Sequence, residues 1–238
     1  MSSQHAVIIG GSSGIGLASA QTLLASGMRV TVTGRDEIRL AEAKRALGPG
    51  AGAFRMDAAD FQTQPALFAE IGPLDHLVLA FGSRKGLGPF ASISVAEVRQ
   101  GFEEKLAPQF AVAQAALPHL NRNGSITFLA AVSAHAATPG TAGIGAQNAA
   151  VAALVPILAA ELKPLRVNGV SPGLIDTPFW DFLPEDQRSQ VYAEYAEKTP
   201  VGRIGCAEDV AQAIAFLIAN TFMTGHVIVC DGGLRLAA

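Results

Sequence analysis

The chain has 238 residues, of which 50% are hydrophobic and 16% are charged, with a mean hydropathy of +0.33. This length suits one α/β domain spanning residues 1–238, and this composition excludes an intrinsically disordered chain. The net charge of −3, with lysine and arginine spread thinly, argues against nucleic acid as the main partner.

The cysteines and the N-terminus indicate a cytoplasmic protein. Cys206 and Cys230 have no metal-like spacing, so we predict no metal site and a reducing compartment. A strand-like run follows directly on the first few residues, without the features of an export signal. The small, apolar stretch 142–160 contains Gln147, Asn148 and Pro156, so we expect a helix buried on nearly all sides and no membrane contact.

Short β-branched runs alternate with longer helical stretches along the chain. The predicted strands are nearly continuously apolar, as strands buried on both faces must be: 6–9, 29–33, 53–56, 76–80, 125–129, 166–170 and 227–230. The predicted helices include 14–26, 38–47, 95–120, 145–162 and 207–220. This alternation predicts a single-domain, Rossmann-type α/β fold, a doubly wound parallel sheet of about seven strands with helices on both faces.

A glycine-rich turn, Gly10-Gly11-Ser12-Ser13-Gly14-Ile15-Gly16, joins the first predicted strand to the first helix. Glycines there let the chain turn sharply and bring backbone N–H groups against a pyrophosphate at the helix N-terminus. In this strand–turn–helix context the turn predicts a dinucleotide site formed by Gly10, Ser12, Ser13, Gly14, Ile15 and Gly16.

Together with three later segments, this turn resembles the short-chain dehydrogenase/reductase family, and the resemblance covers the entire chain. The segments are Val167-Asn168-Gly169-Val170-Ser171-Pro172-Gly173-Leu174-Ile175-Asp176-Thr177-Pro178, Pro200-Val201-Gly202-Arg203-Ile204-Gly205 and Thr224-Gly225-His226-Val227-Ile228-Val229-Cys230-Asp231-Gly232-Gly233. The resemblance implies a nicotinamide contact by Pro172, Gly173, Ile175 and Thr177. It also implies an adenine contact by Asp57 and Ala58, and places Ala80 and Gly82 along the cofactor.

The end of the second strand favours NADP(H) over NAD(H). A carboxylate there would bind the adenosine ribose and repel a 2′-phosphate, but this chain has Gly34 followed by Arg35. The Arg35 guanidinium can instead contact that phosphate. Two alternatives stay open: Arg35 pairs with Asp36 or Glu37 in solvent, or Asp36 faces the ribose.

The family's usual active site is not present in this sequence. Members use a Tyr as the proton donor, a Lys four residues later, a Ser thirteen before the Tyr and an Asn on the preceding helix. Alignment puts Ile144, Asn148, Ala131 and Lys105 at those positions. Neither Ile nor Ala carries a transferable proton, so the usual relay cannot operate.

Several residues could replace it. Lys105 and Asn148 amount to an exchange between facing helices that keeps one positive charge near the nicotinamide ribose. Ordinary drift, with Lys105 in solvent beside neighbouring glutamates, is the alternative. His135 could act as an acid near neutral pH, although a loop histidine is more often solvated. Tyr192 and Tyr195 are further candidates.

The window 177–199 breaks the strand–helix alternation and holds every Trp and Tyr of the chain, at positions 180, 192 and 195. We expect a lid over a small-molecule substrate or ligand, with a flap that packs on the body as the alternative.

The apolar helix 145–162 predicts a homodimer or homotetramer. The leading hypothesis is an NADP(H)-dependent oxidoreductase of a small carbonyl or alcohol, and the alternatives are a catalytically silent NADP(H)-binding sensor or regulator and a scaffold.

Overall fold

In the computed structural model, which describes residues 3–237, seven parallel strands form one sheet with helices on both faces. The sheet strands are β1 (His5–Ile9), β2 (Arg29–Gly34), β3 (Gly52–Arg55), β4 (Leu74–Leu79), β5 (Leu120–Leu129), β6 (Arg166–Pro172) and β9 (Val227–Cys230). Two short strands outside this sheet pair with each other, β7 (Ile175–Asp176) and β8 (Gly205–Cys206). The order β3-β2-β1-β4-β5-β6-β9 confirms the predicted doubly wound fold.

In the described part of the chain, eight α-helices connect the strands: α1 (Gly14–Ala25), α2 (Glu37–Leu47), α3 (Gln64–Ile71), α4 (Val95–Glu104), α5 (Leu106–Ala116), α6 (Ala142–Glu161), α7 (Glu185–Lys198) and α8 (Ala207–Ala219). The prediction of one helix over 95–120 is wrong, because α4 and α5 are separated at Lys105. Pro108 explains the break, since it has no N–H to donate to the carbonyl of Glu104 four residues earlier.

Alternate residues of the strands fill two separate cores. Val7 and Ile9 pack toward one face, against α3, α5 and α6. Ala6 and Ile8 pack toward the other, against α1, α2 and α8. Because both faces are covered, the strands had to be apolar nearly throughout, which is the pattern that revealed them in the sequence.

Helix α6 is buried along one face only, so the expectation that it is buried on nearly all sides is wrong. Val151 and Val155 lie in the core, whereas Ile157 on the same helix is 59% exposed. Composition could not separate the two faces, because small apolar residues occupy both. Within residues 3–237, α6 is the one helix long and apolar enough to span a bilayer, and it packs on the sheet and continues past Pro156.

The strand order reverses between β1 and β4, so the loops that leave their carboxyl ends run in opposite directions. Such a reversal opens a crevice at the carboxyl edge of the sheet, where ligands of doubly wound folds bind. Gly10 follows β1 and Ala80 follows β4 at this point. The candidate site lies there.

Candidate functional site

The glycine-rich turn forms a cradle that side chains would fill. A Cβ on Gly16 would lie 2.2 Å from the Gly10 carbonyl oxygen, and one on Gly10, whose φ is +80°, would lie 2.7 Å from that of Ala80. The first N–H groups of α1 have no side-chain cap from Ser13. Uncapped donors at the positive end of a helix suit a pyrophosphate, so the residues present fit a dinucleotide.

A cleft of two connected chambers runs along the carboxyl edge. The outer chamber, of about 300 Å³, lies among the turns after β1 to β4, and the inner chamber, of about 390 Å³, lies among those after β1, β4, β5 and β6 and under the window 177–199. The two share Gly10, Ser13, Arg39, Ala80, Phe81 and Gly82. Two adjoining chambers match the two halves of a dinucleotide.

The structure brings the predicted cofactor residues together along this cleft. The outer chamber is lined by Ser12, Arg35, Asp57 and Ala58, the inner by Gly14, Ile15, Pro172, Gly173, Ile175 and Thr177, and both by Gly10, Ser13, Ala80 and Gly82. Gly16 lines neither chamber and instead lies against the Gly10 carbonyl. The predicted cofactor residues lie together because they follow the carboxyl ends of neighbouring strands.

Charges in the outer chamber are arranged around Arg35 and Arg39. The carboxylate of Asp36 accepts a hydrogen bond from the Arg39 backbone N–H at 3.0 Å and thereby caps α2. Glu37 pairs with Arg55 at 3.3 Å, and no ion pair of Arg35 occurs within residues 3–237. A Cβ on Gly34 would lie 2.6 Å from the hydroxyl of Ser12, so this turn has little room for a carboxylate side chain.

Lys105 and Asn148 meet in the wall of the inner chamber. The Lys105 Nζ donates to the Asn148 Oδ1 at 2.5 Å and to the Ala130 carbonyl oxygen at 3.2 Å. Lys105 is only 4% exposed, so the alternative that placed it in solvent is wrong. Burial away from water lowers the pKa of its ammonium from 10.5 to about 7.

The other residues predicted to lie at or replace the family's proton-transfer positions fall into two groups. Ala131 and Ile144 line the inner chamber beside Lys105 and Asn148. His135 is absent from the residues lining either chamber, and its Nε2 lies 3.1 Å from the Ser171 hydroxyl. This geometry offers no support for His135 as a proton donor.

The two tyrosines of the window 177–199 also differ. Tyr195 lines the inner chamber, whereas the Tyr192 hydroxyl donates a hydrogen bond of 2.9 Å to the Asp176 carboxylate. Burial, followed by that hydrogen bond and the Asp176 charge, raises the pKa of Tyr192 to about 12. A hydroxyl held in this way is a poor acid near neutral pH, which leaves Tyr195 as the tyrosine with access to the chamber.

The window 177–199 covers the inner chamber from one side. Pro178, Phe179 and Trp180 line it, and the Trp180 indole N–H donates to the Ile175 carbonyl oxygen at 3.1 Å. From the loop after β4, the Arg84 guanidinium lies 4.8 Å from the centre of the Phe182 ring. We call Arg84 and Phe182 the lid contact.

Sequence reasoning missed Arg39, which lines both chambers. Its signal was its position four residues after Arg35, in the first turn of the next helix, where both side chains can turn toward the cleft. It also missed Thr138 and Thr141, which line the inner chamber from the irregular loop before α6. A loop without regular structure carries no periodicity from which to predict its direction.

Comparisons with known proteins cover almost the entire chain. A family model described as enoyl-(acyl carrier protein) reductase matches residues 10–235. The cis-4-hydroxycyclohexanecarboxylate dehydrogenase of Sinomonas cyclohexanicum is 34% identical, over 96% of this chain and 95% of that protein.

Two solved structures are similar in both fold and sequence. The first, a small-chain dehydrogenase in complex with NADPH, superposes with a TM-score of 0.85 at 32% identity, over 98% of this chain and 99% of that chain. The second is a short-chain oxidoreductase from Pseudomonas aeruginosa PAO1, in its apo form, described as containing an atypical catalytic centre. It superposes with a TM-score of 0.87 at 30% identity, over 97% of both chains.

Proposed function

The chain belongs to the short-chain dehydrogenase/reductase family, and from this we propose that it is an NADP(H)-dependent reductase of a small carbonyl compound with a rebuilt proton path. The observation that carries the proposal is the two-chambered cleft with a pyrophosphate cradle between its halves. When bound, the cofactor would supply a hydride. The chain would hold the pyrophosphate with its Gly10–Gly16 turn, cover the inner chamber with the window 177–199 and exclude water there.

The preference for NADP(H) rests on the charges of the outer chamber. Arg35 and Arg39 both line it and offer two guanidinium groups to a 2′-phosphate. Asp36 uses a carboxylate oxygen to cap α2, and Gly34 leaves no acidic side chain where NAD users have one. These features favour NADP(H) over NAD(H).

The substrate class follows from the walls of the inner chamber. Hydrocarbon from Leu87, Ile144, Phe179 and Trp180 makes up much of the lining. A small cyclic or short-chain ketone would bury its carbon skeleton there. The first compound to test is 4-oxocyclohexanecarboxylate, because the Sinomonas relative is named for the corresponding alcohol.

The first experiment measures the binding of NADPH and NADH to the protein. We expect NADPH to raise the melting temperature and to bind more tightly than NADH. Arg35→Ala and Arg39→Ala should each weaken NADPH about 10- to 100-fold and leave NADH unchanged, because a hydrogen bond to a charged group is lost. Arg45→Ala is the matched control, since Arg45 is exposed on the same helix and lines neither chamber. Equal affinities for NADPH and NADH would contradict the preference, and no binding of either would contradict the function.

The second candidate function is a silent NADP(H)-binding sensor, favoured by the hydrocarbon at Ile144 and Ala131. Oxidation of NADPH in the presence of small ketones separates the two functions. Turnover that depends on the ketone supports the reductase. Tight NADPH binding without turnover of any ketone supports the sensor.

We also propose that a second copy of the chain covers the exposed face of α6. Ile157 on α6 and Phe110 on α5 are 59% and 47% exposed. A symmetric contact would remove this apolar surface from water. Ile157→Glu should convert the wild-type oligomer to a monomer in sedimentation velocity, and a monomeric wild-type protein would contradict the proposal.

A further inference from the structure

Lys105 places a buried amine in the wall of the inner chamber without an opposite charge beside it. No ion pair of Lys105 occurs within residues 3–237, and its side chain reaches the chamber from the break between α4 and α5. Removing an amine from water is costly, and no charged partner offsets that cost here. Whether this amine is structural or chemical therefore depends on whether the fold uses all of its donors.

The neighbours of Lys105 fix its orientation. The Asn148 Nδ2 donates to the Ile144 carbonyl oxygen at 2.8 Å and lies 3.1 Å from the Ser133 hydroxyl. A carbonyl oxygen can only accept, so the amide nitrogen must face it and the amide oxygen must face Lys105. The Asn148 side chain is thus held as an acceptor for the ammonium.

One N–H of the ammonium remains for a ligand. An ammonium has three N–H donors, and the Ala130 carbonyl and Asn148 accept two of them. A Cβ on Gly82 would lie 3.3 Å from the Lys105 Nζ, so the absence of a side chain at Gly82 keeps the space beside the nitrogen open. A substrate oxygen in the chamber can reach that position.

We propose that Lys105 is the catalytic acid of this reductase, giving its proton to the substrate oxygen, and that Asn148 is the residue that positions it. The inference rests on the proposed function. Bound NADPH would supply the hydride that the carbonyl carbon accepts and would be left as NADP⁺, while the ammonium of Lys105 gives the carbonyl oxygen a proton. The products are the alcohol and a neutral amine at Lys105, which regains a proton from water.

The acidity of Lys105 suits this role. Burial lowers its pKa to about 7, so the ammonium can both hold and release a proton near neutral pH. Besides Lys105, the charged or titratable side chains that line the inner chamber are Arg39 from α2 and Tyr195 from α7, and Glu104, next to Lys105 at the end of α4, lines the outer chamber. Glu104 accepts from the Ser83 hydroxyl and from Gln100 instead of from Lys105.

A spectroscopic titration tests the acidity without any substrate. In apo protein labelled with ¹³C-lysine, the Lys105 signal is identified by its loss in Lys105→Met. We expect this signal to titrate near neutral pH, with Asn148→Asp moving its midpoint upward because a carboxylate stabilises the ammonium. A Lys105 signal that titrates at the ordinary value of about 10.4 would overturn the proposal.

Kinetics test the proton transfer. For ketone reduction, kcat/KM should fall as pH rises above neutrality, because the acid must be protonated. Lys105→Met should lower kcat/KM about 10²- to 10⁴-fold and abolish this alkaline limb, while NADPH still binds. Asn148→Asp should move the limb to higher pH, which a merely structural role would not do. Lys44→Ala is the control, since Lys44 lies on α2 outside both chambers.

The Tyr195→Phe variant distinguishes Lys105 from Tyr195 as the proton donor. The alkaline limb should persist in this variant, whereas its loss there with retention in Lys105→Met would assign the proton to Tyr195. Full activity of Lys105→Met with wild-type NADPH affinity would overturn the proposal and leave the reductase intact. Failure of the wild-type protein to bind NADPH would contradict the proposed function itself, whatever the titration shows.

Discussion

Buried polar side chains at the two edges of the parallel sheet can have different partners. At the amino edge, the ring nitrogens of His5 lie 2.9 Å from the Pro73 carbonyl oxygen and the Thr31 hydroxyl. At the carboxyl edge, Lys105 is equally buried but faces a chamber of about 390 Å³. The residue types alone do not distinguish a structural polar group from one available to a ligand.

Arg166 and Lys105 make the comparison specific, because both are buried cations without a carboxylate partner in residues 3–237. The Arg166 guanidinium donates to the carbonyl oxygens of Leu217, Ile218 and Asn220 at 2.7 to 3.1 Å and so closes the end of α8. Its donors are used within the fold. The hydrogen-bond partners of a buried cation therefore decide its role, and substitution by Met at both positions tests this.

Arg166→Met should have the largest effect on stability. It leaves several carbonyl groups at the end of α8 buried without donors, and each such loss costs 1–3 kcal/mol. We expect the free energy of unfolding to fall by about 4 kcal/mol in urea titrations, with NADPH affinity per folded molecule unchanged. A loss below about 1 kcal/mol would show that water replaces the guanidinium at this edge.

The next effect is the response of the amino edge to acid. His76 is 2% exposed, and burial lowers its pKa from 6.5 to about 4, outweighing the Asp75 charge that favours the protonated form. The folded state therefore keeps His76 neutral while the unfolded chain binds a proton below pH 6.5. Stability is fully present above pH 6.5 and should fall by roughly 3 kcal/mol as the pH drops to about 4.

Urea titrations across this pH range measure the loss. His76→Asn keeps a polar atom for the Ser125 hydroxyl, which lies 2.9 Å from the His76 Nδ1, and removes the titration. It should flatten the pH dependence above pH 5, where most carboxylates are still ionised. An unchanged slope in this variant would assign the acid sensitivity to other groups.

Most of the fold could be predicted from the sequence, because buried parallel strands need continuous apolar runs and the cofactor turn needs its glycines. The seven sheet strands lie where predicted, although β5 begins at Leu120, five residues early. The residues Asn121, Arg122 and Asn123 near its start are polar and exposed, so they carry no apolar pattern. The sequence also predicted that Lys105 and Asn148 face each other, and the two side chains are hydrogen-bonded in the structure.

The burial of Lys105 could not be predicted, because Glu103 and Glu104 before it are typical of a solvent-exposed helix face. The break between α4 and α5 turns Lys105 away from that face. Pro108 marks the break in the sequence but does not indicate the direction in which the Lys105 side chain then points. The exclusion of His135 from the cleft was equally hidden, since a loop histidine can point in many directions. Tertiary contacts decide both positions.

Lys105→Met should affect stability in the direction opposite to that of Arg166→Met. Met removes the cost of burying the ammonium but leaves the Asn148 and Ala130 oxygens without that donor. We expect the first effect to be the larger at neutral pH, with a net gain of about 2 kcal/mol. Because burial lowers the pKa of Lys105 from 10.5 to about 7, wild-type stability is lost as pH falls through this range. The advantage of the variant should therefore shrink toward pH 10. A destabilised variant would show that Lys105 is structural, as Arg166 is.

The smallest expected effect concerns the lid contact at the carboxyl edge. Arg84→Ala removes a cation–π interaction worth about 0.5–1 kcal/mol at exposed sites, together with a long, exposed hydrogen bond of 3.4 Å to the Phe179 carbonyl oxygen. The global free energy of unfolding should stay within about 1 kcal/mol of wild type, because no core residue changes. Trypsin cleaves after Arg188, which lies on α7 within the window 177–199. In Arg84→Ala this cleavage should become about two- to fivefold faster, because the conformation in which the window is detached from the inner chamber is more populated.

Arg99→Ala is the control for this last prediction, because Arg99 forms an exposed ion pair with Glu103 on α4, away from the lid. Cleavage at Arg188 should not change in that variant. Bound NADPH should slow cleavage in the wild-type protein if the inner chamber closes on its ligand. Equal cleavage rates in wild type and Arg84→Ala would mean that the indole bond of Trp180 to Ile175 holds the lid without the lid contact. Mobility would then begin C-terminal to Trp180, and Trp180→Phe would be the variant that opens the carboxyl edge.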